Sequence, residues 1–226
     1  QGLNKKKIGI FYNLDDPYTV QEHEALVRWV KIFGGEIKAD IGYSKKLSTA
    51  YTAAMTAIAE SGAEALILPN TEEKTADIVK SARESGFGGT IIGEDYLDNP
   101  VGAATNTFRN SWWIDEISPL DPQIRSVLKE YRSLYNENLP QEDVKASILA
   151  FDGVRWIANC LATAPGYRGE AMRHALLATR NFPLTHATLT IDPRTHGPYN
   201  KAMSLIYCET NGGIFQKRIR TVKTEW

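Results

Sequence analysis

Residues 63–95 read AEALILPNTEEKTADIVKSARESGFGGTIIGED, and this stretch decides the fold. It opens with a short apolar run of strand length, and a helical segment with acidic residues in its first turn follows, where the helix dipole favours anions. Gly86 ends that helix, and a second apolar run occupies 90–93. Uninterrupted apolar runs are typical of parallel strands covered on both faces. The order strand–helix–strand therefore predicts a parallel α/β unit with a right-handed crossover.

The same alternation begins at the start of the chain. Residues 8–11 predict a first strand, and Asp16-Pro17 supplies an N-cap and a proline at the first helical position. Gly34-Gly35 ends this helix, 36–41 predicts a second strand, and a second helix runs from 48 to 62. Four strands separated by helices predict a doubly wound parallel sheet.

The second half of the chain is less regular. The pattern predicts irregular structure over 99–118, with Trp112-Trp113 as packing residues, and a helix that opens at Asp121-Pro122. Residues 147–162 predict a helix that is apolar almost all round, which is typical of a buried helix. A shorter helix follows at 168–179, then strands at 187–191, 203–207 and 215–221, the last two forming a hairpin. This half offers no parallel sheet of its own, so we expect something to complete it.

Composition and charge exclude several classes of protein. Lys plus Arg number 26 and Asp plus Glu 27, a net charge of −1, which argues against a nucleic-acid partner. The apolar runs are too short to span a membrane, and residues 1–7 lack the apolar core of a secretory signal. Cys160 and Cys208 are either one disulfide or two buried thiols.

Ligands of open α/β sheets bind beyond the carboxyl ends of the strands. Those ends predict one acidic and aromatic rim, formed by Asp15, Asp16, Tyr18, Thr71, Glu72, Glu94, Asp95 and Tyr96. Carboxylates and aromatic rings suit a ligand that carries an ammonium group. Simpler roles stay open for some of them: Asp16 as a helix cap, and Glu72 as a partner of the helix dipole.

Signatures of catalysis are absent from the sequence. It contains neither a G-x-S-x-G nucleophile elbow nor a Walker A loop, and the glycine-rich run at 86–89 precedes a strand instead of following one. The four histidines lack metal-ligand spacing. Glu94-Asp95 is a poor acid–base pair because adjacent residues that leave a strand point apart. We therefore expect no enzyme activity, no metal and no cofactor.

Five strings occur in a particular order and spacing: KIGIFY followed by DPY within 7–18, AEALILPN at 63–70, IIGED at 91–95, AFDGV at 150–154 and DPRTHG at 192–197. Together they resemble the type I periplasmic solute-binding proteins, especially the leucine/isoleucine/valine receptors of ABC importers. The resemblance implies an extracytoplasmic, non-catalytic receptor that binds a small molecule, an amino acid or a related amine or amide, and docks on an ABC permease.

The resemblance also assigns residue roles. It implies that Asp95 accepts the ligand's α-amino group and that Tyr18 closes over the ligand. Thr71, or Glu72, lies where the family often has another aromatic contact, which weakens the case for an aliphatic ligand. Glu94 and Tyr96 flank the acceptor.

The resemblance further implies two lobes. Residues 1–146 correspond to the second lobe, and 147–226 to helices and strands of an incomplete first lobe and the hinge. We expect the first-lobe pieces to expose apolar surface, or to be covered by a missing first-lobe fragment or a second copy of the chain. We also expect the chain alone to bind ligand weakly, because half of the cleft is absent. The alternatives are a ligand-sensing regulator of the same fold and a small α/β enzyme.

Overall fold

A computed structural model describes residues 3–44, 51–69, 75–94, 107–117, 121–140, 143–166, 168–199, 203–208 and 214–219. The chain divides into two compact units. The first comprises 1–115 with 205–217, and the second comprises 116–204 with 218–226. The mixed α/β architecture with a mostly parallel sheet confirms the predicted fold class. The division into lobes at residue 146 stays a prediction.

The described elements, in chain order, are β1 (Lys7–Asn13), α1 (Pro17–Ile32), β2 (Glu36–Tyr43), α2 (Tyr51–Glu60), β3 (Ala65–Leu68), α3 (Thr75–Glu84), β4 (Thr90–Gly93), β5 (Ser111–Asp115), α4 (Pro122–Tyr135), α5 (Val144–Thr163), α6 (Gly169–Leu177), β6 (Phe182–Pro183), β7 (Thr188–Ile191), β8 (Pro198–Tyr199), β9 (Met203–Cys208) and β10 (Ile214–Ile219).

One seven-stranded sheet organises the first unit, in the order β10-β9-β5-β4-β3-β1-β2. The strands from β1 to β5 pair in parallel, with Lys7 opposite Glu36 and Leu66 opposite Ile91. The carboxyl ends of these five strands therefore meet at one edge of the sheet. The two C-terminal strands join the sheet beside β5, and they are neighbours, as the predicted hairpin requires.

β5 corrects the expectation of irregular structure over 99–118. It pairs in parallel with β4, with Ile92 opposite Trp112 and Gly93 opposite Trp113. The side chain of Trp113 is buried, and the ring of Trp112 stacks on Tyr207 of β9 at 4.4 Å between centroids. Both tryptophans are packing residues, as predicted, but the strand that carries them is defined by its neighbours in the sheet.

Local capping explains where two helices begin. The Asp16 carboxylate accepts the backbone N–H of Tyr18 at 2.9 Å, and the Asp121 carboxylate accepts that of Gln123 at 3.0 Å. Each cap is followed by proline at the first helical position, which lacks an N–H to satisfy. At the other end of α3, Gly86 has a φ of 87°, a left-handed conformation that glycine adopts without steric cost.

Helices bury the two faces of the sheet in separate clusters. Phe11 and Leu66 belong to a large cluster with α2 and α3, and Ile10 belongs to a smaller cluster beneath α1. Ile10 and Phe11 are adjacent in β1, so their side chains point to opposite faces. This alternation within an entirely apolar strand is the pattern expected of a sheet covered on both sides.

Arg83 of α3 forms hydrogen bonds to the loops at the amino-terminal edge of the sheet. Its guanidinium donates to the carbonyl oxygens of Phe87, Gly89 and Arg109 at 2.7–2.8 Å. Burial, with a smaller contribution from the neighbouring Arg109 charge, lowers the pKa of Arg83 to about 10. The group stays protonated at neutral pH and satisfies carbonyls that lack strand partners.

Glu64 fixes the start of β1, and it makes stability depend on pH. Its carboxylate accepts the backbone N–H groups of Lys6 at 3.0 Å and Lys7 at 3.3 Å, and these bonds hold the pKa of Glu64 below its ordinary value. A depressed pKa in the folded state contributes stability that is present above the unfolded pKa and is lost as the pH falls through the folded value.

We expect Glu64→Gln to lower the melting temperature at pH 7, because the charged acceptor of the two N–H groups is lost. The decrease should be small, because the carboxylate is exposed. The melting temperatures of Glu64→Gln and of the unmodified chain should converge as the pH falls below about 4. Thermal unfolding across this pH range tests the expectation, with Glu60→Gln as an exposed control on α2. A difference that stays constant at every pH would contradict it.

The second unit contains α4, α5, α6 and a three-stranded antiparallel sheet in the order β6-β7-β8. Its apolar core is small and consists of Ile117, Ile124, Val144 and Ile148. The sequence predicts that α5 is buried, and this is wrong for part of the helix. One side of α5 packs into the unit, but five large apolar side chains of the helix are 38–67% exposed: Leu149, Phe151, Val154, Ile157 and Leu161.

Both cysteines are buried thiols, which favours this interpretation over one disulfide. Burial raises the pKa of the Cys208 thiol. The thiol is therefore protonated and unreactive at neutral pH.

Candidate functional site

The candidate site is the carboxyl edge of the parallel strands in the first unit. There β1 ends at Asn13, β2 at Tyr43, β3 at Leu68 and β4 at Gly93. Because β3 lies between β1 and β4, the loops that follow these two strands are two strand spacings apart, roughly 10 Å. A small molecule can bridge that distance.

The loop from β1 to α1 is held by its own side chains. Asn13 is buried, its amide oxygen accepts the Asp15 N–H at 2.9 Å, and its carbonyl accepts the hydroxyl of Thr19. The same hydroxyl lies 3.1 Å from the carbonyl oxygen of Asp16. The loop that carries the predicted residues Asp15, Asp16 and Tyr18 is thus fixed to the end of the strand.

Ser44 is a residue of this edge that the sequence did not single out. Its hydroxyl lies 2.9 Å from both carboxylate oxygens of Asp15, and the Leu14 N–H donates to the carbonyl of Tyr43 at 2.7 Å. These bonds tie the β1–α1 loop to the end of β2. A partial signal was available, because Ser44 lies three residues beyond the second predicted strand, 36–41, whose carboxyl end lies at the same edge; it directly follows β2 because that strand extends to Tyr43.

Tyr18 lies in the first turn of α1, and 53% of its surface is exposed. The helix is anchored to the sheet by His23, whose Nε2 lies 2.7 Å from a carboxylate oxygen of Asp40 and whose ring stacks on Tyr12 at 3.9 Å. Burial, reinforced by the Asp40 charge, raises the pKa of Tyr12. The Tyr18 ring therefore projects from a fixed helix and is open to solvent.

Glu94 directly follows β4, is half-buried, and lies at the same edge as Tyr18. The other predicted contacts, Asp95, Tyr96, Thr71 and Glu72, lie outside the described residues. Their convergence with Tyr18 and Glu94 stays a prediction.

Within the described ranges, no cluster of histidine, cysteine, aspartate and glutamate has the composition to hold a metal ion. None of the helices in this part of the chain is long and apolar enough to cross a membrane.

A separate groove lies in the second unit between α5, α6 and β6, with a volume of about 600 Å³. Arg180 lines it, but this guanidinium already donates to the carbonyl oxygens of Leu177, Thr179 and Ile191 at 2.7–2.9 Å. The groove holds no group that points to a particular chemistry, and it is not an edge of the parallel sheet. The carboxyl edge remains the better candidate.

A family model described as "Periplasmic binding protein" matches residues 1–213. The chain belongs to the periplasmic binding protein family. This is a family of solute-binding receptors that act outside the cytoplasm with ABC transporters, and it is not an enzyme family. No curated protein matches the chain significantly.

Solved structures of periplasmic binding proteins share the fold. The leucine-binding protein LivK from Thermotoga maritima is similar, with a TM-score of 0.79 and 17% identity over 97% of this chain and 62% of that one. LivJ from Streptococcus pneumoniae, in complex with isoleucine, has a TM-score of 0.75 and 22% identity over 98% of this chain and 62% of that one.

A solute-binding protein from R. palustris, in complex with 4-hydroxybenzoate, has a TM-score of 0.75 and 18% identity over 98% of this chain and 61% of that one. The chain thus spans somewhat over three fifths of the length of the solved proteins that it matches.

Proposed function

We propose that this chain is part of an extracytoplasmic receptor that binds an amino acid or a related small amine between two lobes and delivers it to an ABC importer. The observation that carries the proposal is the carboxyl edge of the sheet, where the exposed ring of Tyr18 and the half-buried carboxyl group of Glu94 follow parallel strands. Closure of the two lobes would then favour a form that docks on the permease. The proposal involves no metal, no cofactor and no catalytic step.

The ammonium group of the ligand is the feature that this edge would recognise. In the proposal Asp95 accepts it, because a carboxylate pairs with an ammonium through strong, charge-assisted hydrogen bonds. Tyr18 covers the same group or the side chain beside it. Two similar proteins are described as leucine-binding and isoleucine-bound, which supports an amino acid, whereas a third holds 4-hydroxybenzoate, which carries no ammonium group.

The ligand class can be tested on the chain itself by saturation-transfer NMR, which detects weak binding. We expect signals from leucine, isoleucine and valine with a Kd of about 1 mM or weaker, because the chain supplies only one side of the cleft. N-acetyl-leucine, which keeps the side chain and the carboxylate but lacks the ammonium, should give none. Equal signals from leucine and N-acetyl-leucine, or a signal from 4-hydroxybenzoate alone, would contradict an amine-recognising site.

The exposed face of α5 suggests a partner for the second unit. Leu149, Val154, Ile157 and Leu161 recur at helical spacing, and Ala150 and Ala158 lie between them. Small residues between larger ones allow a neighbouring element to approach closely. We propose that this α5 stripe packs against an α/β segment that supplies the rest of the first lobe, and a second copy of the chain is the other candidate for this position.

Val154→Asp tests this assignment, because Val154 is the most exposed residue of the α5 stripe. We expect it to reduce binding of an apolar dye by the isolated chain, to leave the melting temperature unchanged, and to abolish any association seen in a native mass spectrum. Asn159→Asp places the same charge on the same helix, off the stripe, as a control. A large loss of stability from Val154→Asp would show instead that the stripe is covered within the chain.

A further inference from the structure

We propose that the end of α1 is a docking patch for an anionic lipid surface. Trp29, Ile32 and Phe33 are 40%, 61% and 66% exposed, and the rings of Trp29 and Phe33 stack with centroids 5.6 Å apart. Scattered single apolar residues are normal on a protein surface, but three large ones in one turn form a contiguous patch. We call these three residues the aromatic patch.

The aromatic patch is not a displaced part of the core. The core-facing side of α1 is formed by Leu26, Val27 and Val30, which pack on the cluster of Ile8 and Ile10. The patch lies on the last turn of the helix, directly before Gly34, which is exposed and has a φ of 71°. The chain turns there, so the patch lies at the end of α1 that is followed by an exposed turn.

Basic residues lie near the patch. Arg28 and Lys31 are exposed on the last turns of α1. The start of β1 supplies three more exposed lysines at positions 5–7, and it lies beside the turn that follows the patch, since the Glu36 N–H donates to the Lys6 carbonyl at 2.7 Å.

Acidic residues also lie at this end of the unit: Glu24 is exposed one turn before Arg28, and Glu36 and Glu64 lie beside the lysines. Glu36 pairs with Lys38 at 2.6 Å, and Glu64 accepts the N–H groups of Lys6 and Lys7. Around the patch the basic residues Arg28, Lys31 and Lys5–Lys7 outnumber these acidic residues, in a chain whose net charge is −1. An apolar centre with a basic rim fits an anionic partner.

Two kinds of partner fit poorly. In a two-fold dimer the same patch meets itself, so the lysines and arginines would face like charges. A stable protein–protein contact buries roughly 800 Å² on each partner, far more than three side chains provide. A lipid surface needs less, because Trp and Phe favour the headgroup region and each nearby Lys or Arg adds about 1 kcal/mol on an anionic membrane.

Vesicle flotation tests the proposal independently of the amino-acid site. We expect the chain to bind vesicles of phosphatidylcholine mixed with phosphatidylglycerol more tightly than vesicles of phosphatidylcholine alone, and to be released at about 1 M salt. Replacing Arg28 and Lys31 by Ala should weaken binding to the mixed vesicles roughly 30-fold, about 5-fold for each charge. Trp29→Ala with Phe33→Ser should also abolish most of the binding.

Leu134→Ser with Tyr135→Ser is the matched control, because it removes exposed apolar side chains from the end of α4. This control should bind like the unmodified chain. Equal binding to both vesicle types would overturn the proposal and would point to the uncharged α5 stripe as the adhesive surface. Absence of binding to the mixed vesicles, or an equal loss in the control, would also overturn it.

Discussion

Replacing Asp152 by alanine is expected to destabilise the second unit by about 3 kcal/mol. The Asp152 carboxylate is buried in α5 and accepts three hydrogen bonds, from the N–H of Thr185 at 2.8 Å, its hydroxyl at 2.8 Å and a guanidinium nitrogen of Arg155 at 3.0 Å. The Nδ1 atom of His186, which is also buried, lies 3.9 Å from Oδ2 of Asp152. These contacts tie α5 to the segment before β7, so their loss leaves half-buried donors without an acceptor.

The estimate for Asp152→Ala rests mainly on the bonds from Thr185, because the side chain of Arg155 is 40% exposed and water replaces part of its pairing. Urea unfolding gives the loss, and hydrogen exchange of peptides covering 184–191 locates it. Asp152→Asn keeps one acceptor oxygen and should lose less. Glu170→Gln removes an exposed ion pair from α6 and should leave the free energy of unfolding unchanged. An equally small effect of Asp152→Ala would show that the hydrogen bonds of Asp152 do not hold the unit together.

Phe11→Ala is expected to destabilise the first unit by about 3–5 kcal/mol. Phe11 is fully buried in β1, stacks on Tyr43 with centroids 4.6 Å apart and meets the edge of Tyr51 at 5.9 Å. Truncation leaves a cavity between β1, β2 and α2. Urea unfolding followed by far-UV circular dichroism measures the loss.

The same cluster lies beneath the loop that carries Tyr18, because Tyr43 accepts the backbone N–H of Leu14. Faster hydrogen exchange at 13–18 should therefore accompany the loss of stability in Phe11→Ala. Phe11→Leu fills most of the space and should cost less than half as much. If the two substitutions were equally damaging, the aromatic packing and not the volume would be the cause.

The parts of the fold that the sequence predicts are those with local causes. α1 is predicted because Asp16-Pro17 caps its start and Gly34 ends it, and both signals lie within the helix's own neighbourhood. The sequence does not predict β5, because its five residues become a strand only through pairing with β4. Seventeen residues, 94–110, separate the end of β4 from the start of β5. Non-local pairing leaves little trace in a short segment.

The α5 stripe shows a different limit. Its apolar pattern indicates that these side chains pack against another element, and the described residues leave them exposed. Hydrophobic periodicity identifies a face, but it carries no information about which element covers that face.

The candidate site was predictable in outline for a topological reason. Parallel strands place their carboxyl ends together whatever the loops contain, so the sequence predicts one edge for the loops that follow β1 and β4, and the strand order places both strand ends there. Ser44 was missed because the candidate set included the ends of the first, third and fourth strands only. Asp95, the proposed acceptor of the ligand's ammonium group, lies outside the described residues.

The most direct test of the amino-acid site is a leucine titration of the isotope-labelled chain, followed by chemical-shift mapping on the unmodified chain, on Asp95→Asn and on Asp98→Asn. The account predicts shifts concentrated at 13–18 and 93–96, their disappearance in Asp95→Asn, and their retention in Asp98→Asn, which makes the same change three residues along the chain. Leucine-dependent shifts that persist in Asp95→Asn, or that map to the groove beside α6, would contradict the proposal that the carboxyl edge of this sheet recognises an amino acid.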